Sequence, residues 1–567
     1  MNQEARWILP EPLDAPLIEA VVQQLQCSPS FAALLLRRGF TSPEAVGHYL
    51  RPQLKTLGDP FLLPQMEEAV ARLLKAVEQG EPVVLYGDYD VDGVTSLTIL
   101  ARVLGAMKAR VSCFLPHRME EGYGLTQEGL ARCLERGKPG LLLAVDCGTT
   151  SVEEIAGLQA CGVDVIVLDH HECKAVLPEC VAVVNPKRPD VAVDYTYLCS
   201  AGLAFKLAHA LLKRRPVVGF DLKEVLDLVA LGTVADIVPL VAENRILVKA
   251  GLKQMERTRW VGLQALMDVA RSRMPLTPSD VGYQLAPRLN AAGRLGTARN
   301  ALELLLTDEP GRARTLALEL DARNRDRQRV EKETHEEAEL QLWQRGTPLE
   351  RAAIVVGAPE WHPGVLGIVA SRLARKYHRP TLVIGFDGQG IGKGSGRGIE
   401  GLSLVAALEE CAQLLSRHGG HEMAAGLVVQ AEYFEAFRTR FEEVARRMLS
   451  DEALLPRVLI DAEINLAEVS MEFFQWHELL QPFGPGNSQP LFLAKGVRPL
   501  APPTVLKEKH LKLSLGQGGV RREAIFFNTL PEELPRPPWD IAFRLERNEW
   551  RDRVDVQLQL QRIRTAV

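Results

Sequence analysis

Three aspartates stand at alternating positions, Asp88, Asp90 and Asp92, in the stretch GDYDVDG. An apolar run, PVVLY, precedes them, and a helix-forming stretch, TSLTILARVLGAMK, follows. A single Asp has ordinary uses in such a place, as a helix cap or a turn residue. Three carboxylates this close together repel one another unless a cation relieves them. An EF-hand loop also alternates acids, but the Glu that closes such a loop is missing here and an apolar strand comes first.

Two later apolar runs end in the same kind of residue. LLLAVDCGTT leaves Asp146 at its carboxyl end, and VDVIVLDHHEC ends on His170 and His171. A further acid, Asp236, follows a helical pattern in GTVADIVPL. Side chains alternate along a strand, so the two adjacent imidazoles cannot share one orientation and each needs its own role. Carboxylates and imidazole delivered to one edge of a sheet, with no matching thiol pattern, suit Mn²⁺ or Mg²⁺, and the histidine favours Mn²⁺. Several carboxylates around one pocket can hold two cations about 4 Å apart, which activates a water and stabilises a phosphoryl leaving oxygen. Hydrolysis of a phosphoester is the chemistry implied.

The elements that must position these groups are short apolar runs alternating with helices from residue 82 to 169. That pattern predicts an α/β fold with a mostly parallel sheet covered on both faces, whose ligands gather at the carboxyl ends of the strands. Amphipathic patterns broken by Pro and Gly predict a small helical segment over 1–55, with the sheet domain spanning 56–310. A charged, proline-free stretch over 311–346 predicts a long solvated helix connecting two lobes. A second α/β lobe is expected over 347–452, and short strand-like runs over 453–567 suggest a β-barrel, with an OB-fold as one candidate.

Composition narrows the setting. The chain has 567 residues, of which 46% are apolar and 25% charged, as expected of several globular domains. Nine scattered cysteines without a CxxC pair predict reduced thiols rather than disulfides or a zinc ribbon. With no membrane-length apolar segment and no signal-peptide pattern, no membrane association is expected and the cytoplasm is the expected compartment. A net charge of −5 carries no whole-chain signal for nucleic acid, so any polyanion site must be local.

The ordered motifs GDYDVDG, VDCG, LDHHEC and GTVAD resemble the four motifs of the DHH phosphoesterase superfamily, and GKGSGRG and SRHGGHEMAAG resemble its DHHA1 companion domain. APRLNAAGRLG (286–296), LDARNRDRQ (320–328), WHPGVLGIVASRL (361–373) and LQPFGPGNSQPLF (480–492) narrow the resemblance to the RecJ family, bacterial exonucleases specific for single strands. The resemblance covers nearly the whole chain and is weakest over the first fifty residues. It implies two metal ions, one held by Asp90, Asp146 and Asp236 and the other by Asp92, Asp146 and His170, with Asp146 shared. His171 is then the group that contacts the scissile phosphate, and Asp88 is either a ligand or an orienter of ligands. Some relatives carry a histidine where this chain has Tyr86, so one ion is expected to keep an extra water.

Phosphate contacts are expected from Ser395 and Arg397 between glycines and from His421 at a sharp turn, closing over the metal lobe. Arg288, Asn290 and Arg294 form a second candidate clamp near a glycine bend, and His362 and Arg372 lie at the two ends of an expected helix. The barrel region carries Lys507, Lys509, Lys512, Arg521, Arg522, Arg544, Arg547, Arg551 and Arg553. Phe526, Phe527, Phe543 and Trp550 lie among them, and alternation requires some of these aromatics to be core.

The function implied is exonucleolytic hydrolysis of single-stranded DNA from a 5′ end to mononucleotides, in recombination and repair. Alternatives are a relative that cleaves short oligoribonucleotides or cyclic dinucleotides, and a non-catalytic single-strand-binding scaffold. The resemblance further implies a single-strand-binding protein and a RecQ-type helicase as partners, and a monomer is expected.

Overall fold

The computed structural model describes residues 5–117, 121–122, 124–191, 193–295, 297–550 and 553–566, without the side chains of 294, 295, 550 and 553. The chain divides into two compact units. One comprises Pro52–Gln328 with Pro482–Ser488; the other comprises the chain up to Arg51, Arg329–Gln481 and the chain from Gln489 on.

The first unit is built on a five-stranded sheet, β1 (Pro82–Gly87), β2 (Arg110–Phe114), β3 (Leu141–Val145), β4 (Asp164–Leu168) and β5 (Ala182–Val184). Its order is β2-β1-β3-β4-β5 and every pairing is parallel. Leu85, Leu143 and Ile166 pack into a core on one face, while Val84, Tyr86, Leu142 and Val167 pack into a second core on the other. Burial on both faces explains why these strands are continuously apolar rather than alternating. Between β1 and β3 the winding reverses, which opens a crevice at their carboxyl ends. Helices α1 (Val91–Ala106), α2 (Ser200–Arg214), α3 (Leu226–Ala235) and α4 (Ala286–Leu295) complete the parts that matter for this crevice. APRLNAAGRLG therefore begins a helix rather than a bend, and a π-helical turn, Val281–Leu285, leads into it.

The expected connector is a 35-residue helix, α5 (Pro310–Gln344). It is not solvated throughout: Ala313, Leu316, Ala317 and Leu320 are buried in the core of the first unit, and Ala338 and Leu342 in a core of the second. Each end thus carries a short apolar stripe for its own unit, and the dense charge between and around them hid both stripes.

In the second unit, strands β6 (Ile354–Pro359), β7 (Thr381–Phe386), β8 (Ile391–Arg397), β9 (Arg417–Gly420) and β10 (Ala424–Gln430) form a sheet of order β9-β10-β8-β7-β6. Only β6 and β7 pair in parallel; β8 is antiparallel to both neighbours. The glycine-rich GKGSGRG is this β8, not a loop. Its glycines point inward because Ile384, Leu382 and Leu427 fill the space a Cβ would need: at Gly394 the Cβ would lie 2.8 Å from Leu427 Cγ. A second, barrel-like sheet runs through 462–463, 492–499, 539–550, 553–565, 520–527, 510–517 and 504–506, and pairing of Arg498 with Gly516 closes it back on itself. Residues 6–8 pair in parallel with 457–459, and Phe31 packs on Phe473 and Trp476, so the first fifty residues belong with this unit rather than apart. All nine cysteines are free, and no helix among the described residues is long and apolar enough to cross a membrane.

Because β8 has no room on its inner face, Gly394→Ala is expected to destabilise the protein by about 1–3 kcal/mol through overpacking. Urea unfolding measures this, and Gly388→Ala, where nothing lies within 4 Å of the added Cβ, serves as the neutral control.

Candidate metal centre

The carboxyl end of β1 feeds directly into α1, and the three aspartates occupy that junction in different ways. Asp90 is the N-cap of α1, its carboxylate accepting from Gly93 N at 3.0 Å. Asp92 lies in the first helical turn, and both it and Asp88 are buried. A Cβ on Gly93 would come within 2.4 Å of the Asp88 carbonyl oxygen, so only glycine allows the loop to fold this tightly.

Asp146 follows β3 with φ of +63°, a left-handed conformation that turns the chain off the sheet edge, while its N–H still donates to Leu168 O at 3.0 Å. Asp169 and His170 follow β4, and Asp236 is the C-cap of α3. The ring of His170 gathers three acids: its Nε2 is 3.3 Å from Asp146, 3.6 Å from Asp236 and 3.8 Å from Asp92.

Potential ligand atoms fall into three overlapping groups, each within 4.8 Å: Asp88, Asp90 and Asp146; Asp92, His170 and Asp236; and Asp146, His170 and His171. The resemblance places Asp236 with Asp90 and Asp146. The structure brings Asp236 beside Asp92 and His170, where α3 ends against α1: a Cβ on Gly232 would lie 3.0 Å from Asp92 Oδ1, and the charge of Asp90 also acts on the Asp236 carboxyl. Tyr86 is turned to the opposite face of the sheet, where its hydroxyl donates to Gly124 O at 3.1 Å.

Several residues without a place in the sequence reading hold this cluster in position. Helix α2 directs its first N–H groups at Asp92, Ser200 N at 2.7 Å and Ala201 N at 2.8 Å, and the Ser200 hydroxyl donates to Asp146 at 2.8 Å. A helix N-terminus is a ready anion site, here used for a side-chain carboxylate. Asp169 is buried and accepts from Thr149 N at 3.0 Å, His170 N at 2.8 Å and His171 N at 3.2 Å. Its carboxylate also meets His171 Nδ1 at 2.7 Å. Asn185 completes the frame by donating to Thr149 Oγ1 and His171 O, each at 2.9 Å. In the sequence, Ser200 is one serine opening an apolar helix and Asn185 one Asn before a Pro, and neither pattern announces such a partner.

Electrostatics separate the two histidines. Burial and then the charge of His171 push His170 down to about 3, so it stays neutral and free to act as a ligand. Burial also opposes charge on His171, yet the hydrogen bond and charge of Asp169 outweigh it and raise the imidazole above its ordinary value. Asp169 itself stays below the usual carboxylate range despite burial, through the hydrogen bonds from His171 and Thr149. Burial, followed by repulsion among the acids, pushes Asp92 up to about 7, Asp236 up to about 9 and Asp146 well above its ordinary value. The buried Asp236 Oδ2 accepts no hydrogen bond from the described residues. Oxygen-rich groups with one neutral imidazole, strained by their own charge, fit divalent cations such as Mn²⁺ or Mg²⁺.

The remaining candidate residues have the following places. In the first unit, Arg288 on α4 donates to Asp321 at 2.9 Å and to Gln284 O at 2.5 Å, while Asn290 lies half-buried on the same helix. Gly293 of α4 brings that helix against the aspartate loop, since a Cβ there would be 3.2 Å from Tyr89 O. The side chain of Arg294 lies outside the described residues. In the second unit, Ser395 and Arg397 share a face of β8, with Arg397 donating to Ser395 Oγ at 3.2 Å, and both border Gly367 of helix α6 (Pro363–Tyr377). His421 is exposed in the turn between β9 and β10. His362 is the N-cap of α6, its ring nitrogen accepting from Gly364 N at 3.0 Å, and Arg372 is paired with Glu331 at 2.9 Å. In the barrel, Phe526 and Phe543 are core and Phe527 is 45% exposed, while Lys507 and Lys509 are exposed. Lys512 and Arg521 pair with Glu523, Arg547 pairs with Glu549 and Glu478, and Arg522 donates to Val469 O. Arg544 is half-buried. Arg551 and the side chains of Trp550 and Arg553 lie outside the described residues.

Comparison with known proteins identifies the domains of the chain. The DHH family, N-terminal domain, matches residues 82–233, the DHHA1 domain 351–447 and the RecJ OB domain 460–562. The chain is 36% identical over 570 residues to the single-stranded-DNA-specific exonuclease RecJ of Bacillus subtilis (strain 168), covering 99% of this chain and 71% of that protein. It is similar to the crystal structure of RecJ in complex with Mn²⁺ from Thermus thermophilus, with a TM-score of 0.83, 34% identity, and coverage of 99% of this chain and 80% of that one. The Mg²⁺ complex from the same organism gives 0.79, 32% identity and coverage of 99% and 79%.

The raised carboxyls fix the sign of a pH effect. A carboxyl whose folded value exceeds its unfolded value near 4 costs stability as pH rises through that interval, and a cation that binds the ionised form restores it. Mn²⁺ is therefore expected to raise the melting temperature more at pH 8 than at pH 5.5, and to release protons on binding. Calorimetric titration in two buffers of different ionisation enthalpy measures the release; a melting shift independent of pH would contradict the assignment.

Proposed function

This chain belongs to the RecJ family of DHH phosphoesterases, and we infer that it is a metal-dependent exonuclease that hydrolyses single-stranded DNA from a 5′ end to mononucleotides. The observation that carries this reading is the convergence of Asp88, Asp90, Asp92, Asp146, His170 and Asp236 at the carboxyl ends of parallel strands. Relatives named as single-stranded-DNA-specific exonucleases, and relatives solved with Mn²⁺ and Mg²⁺, support it.

Asp92, His170 and Asp236 would hold one ion and Asp88, Asp90 and Asp146 the other. Divalent cations bound there supply a water activated near neutral pH and stabilise charge on the leaving oxygen. The chain's own groups do the rest. Ser200 and the N-terminus of α2 fix Asp146 and Asp92, so the ligands need little rearrangement when the ions enter. His171, held by Asp169 and biased toward its charged form, is oriented to donate to a phosphate oxygen beside the ligands. Ser395, Arg397, Arg288, Asn290, Arg294, His421, His362 and Arg372 are candidate substrate contacts. Arg397 carries the most weight among them, as a forked guanidinium on a rigid strand next to a hydroxyl. Exposed Lys507, Lys509 and Phe527 suit backbone tracking and base stacking by the barrel.

The reaction is placed in the cytoplasm, beside a single-strand-binding protein and a RecQ-type helicase, in recombination and repair. Free cysteines support the compartment, and the family resemblance suggests the partners.

A long single strand labelled at its 5′ end is expected to release labelled mononucleotide first in Mn²⁺, with the matched duplex resistant. Cleavage confined to dinucleotides would refute the reading. Asp146→Ala should abolish hydrolysis while single-strand binding persists, measured by fluorescence anisotropy, and that binding should weaken steeply as salt rises.

A further inference from the structure

The stretch PFGPGNS, Pro482–Ser488, has no part in the chemistry described so far, and its place in the fold is unusual. The chain before and after it belongs to the second unit, yet these seven residues pack within the first, which holds the metal ligands. There they meet the segment that leaves Asp236. Leu240 N donates to Pro485 O at 2.7 Å. Gly484 lies against Leu240, where a Cβ would fall 2.6 Å from Leu240 Cδ1. Gly486, at φ of +68°, approaches Pro239 and Val241 so closely that its Cβ would be 3.0 Å from each side chain. The loop is tied to itself: Gly484 and Asn487 exchange backbone hydrogen bonds of 3.0 and 3.1 Å, and the buried Asn487 side chain donates to Pro482 O at 2.7 Å.

Asp236 needs such support more than its neighbours do. Asp92 is fixed by two N–H groups of α2, Asp146 by Ser200 and Asp90 by its cap, whereas no hydrogen bond to the Asp236 carboxylate is found among the described residues. Its position must come from the backbone. Helix α3 ends there, and Ile237 adopts the left-handed φ of +63° that a β-branched residue takes only when its surroundings impose it. Beyond it, the next anchored points are Pro239 O, which accepts from Asn244 at 3.0 Å, and Leu240 N, which the loop holds.

We propose that the 482–488 loop is a positioning element for the metal ligand Asp236. By fixing Leu240 and crowding Pro239 and Val241, it closes the far end of the 236–240 link and sets where the carboxylate stands beside Asp92 and His170. The proposal rests on the metal-centre reading above.

The test is Mn²⁺ binding to the full-length protein without DNA, followed by the paramagnetic resonance of free Mn²⁺, for the parent, Asn487→Ala and Gly486→Ala. Loss of support for a ligand typically weakens metal binding about 10–100-fold. Both variants should therefore bind one ion at least about tenfold more weakly, with kcat restored by excess Mn²⁺ and KM for single-stranded DNA unchanged. A purely structural loop would lower the metal-free melting temperature and leave the Mn²⁺ isotherm in place, and that result overturns the proposal. Should Gly486→Ala fail to fold, Asn487→Ala decides alone. A parent that binds no Mn²⁺ overturns the metal-centre reading itself, which separates the two failures.

Discussion

Mutual repulsion among buried carboxylates is the constraint around which the first unit is arranged. Asp88, Asp92 and Asp146 are nearly inaccessible to solvent, and Asp236 is close enough to share His170 with two of them. In a medium of low polarizability that proximity opposes ionisation, and burial raises Asp92, Asp146 and Asp236 accordingly. The fold offsets part of the cost itself, with two N–H groups from the end of α2 on Asp92 and a hydroxyl on Asp146. The remainder is left for cations. A site that is uncomfortable without metal and preorganised for it binds metal strongly and only in its ionised state.

From the same constraint follows the contrast between the adjacent histidines. His170 faces the acids yet stays neutral because it is buried and beside a second imidazole. His171 faces Asp169, whose carboxylate is saturated with donors and remains charged, so the imidazole is drawn toward its protonated form. One Asp-His-His sequence thereby carries a charged acid, a neutral imidazole facing the other acids and an imidazole drawn toward its charged form, each defined by its burial and its neighbours.

Much of this was legible in the sequence because it depends on local order along the chain. Continuous apolar runs between helices gave away a parallel sheet, and the acids just after β1 and β3 with the histidine after β4 had to emerge at one edge. What escaped detection depends on contacts between distant segments. Ser200 reaches Asp146 across 54 positions, and Asp236 stands beside Asp92 because α3 packs against α1 at Gly232. GKGSGRG reads as a turn because glycine is usually conformational punctuation, yet here its glycines make room for Leu382, Ile384 and Leu427 across a sheet. The apolar stripes of α5 were too short to stand out against its charge, and the first fifty residues gave no sign that they add a strand beside Arg457–Leu459.

The most direct measurement is anomalous diffraction from crystals of the protein soaked with Mn²⁺ and a short 5′-phosphorylated single strand. The account requires two Mn²⁺ peaks, one within ligand distance of Asp92, His170 and Asp236 and the other of Asp88, Asp90 and Asp146, with His171 directed at a phosphate oxygen. Peaks outside these groups, or a phosphate bound away from His171, would contradict it.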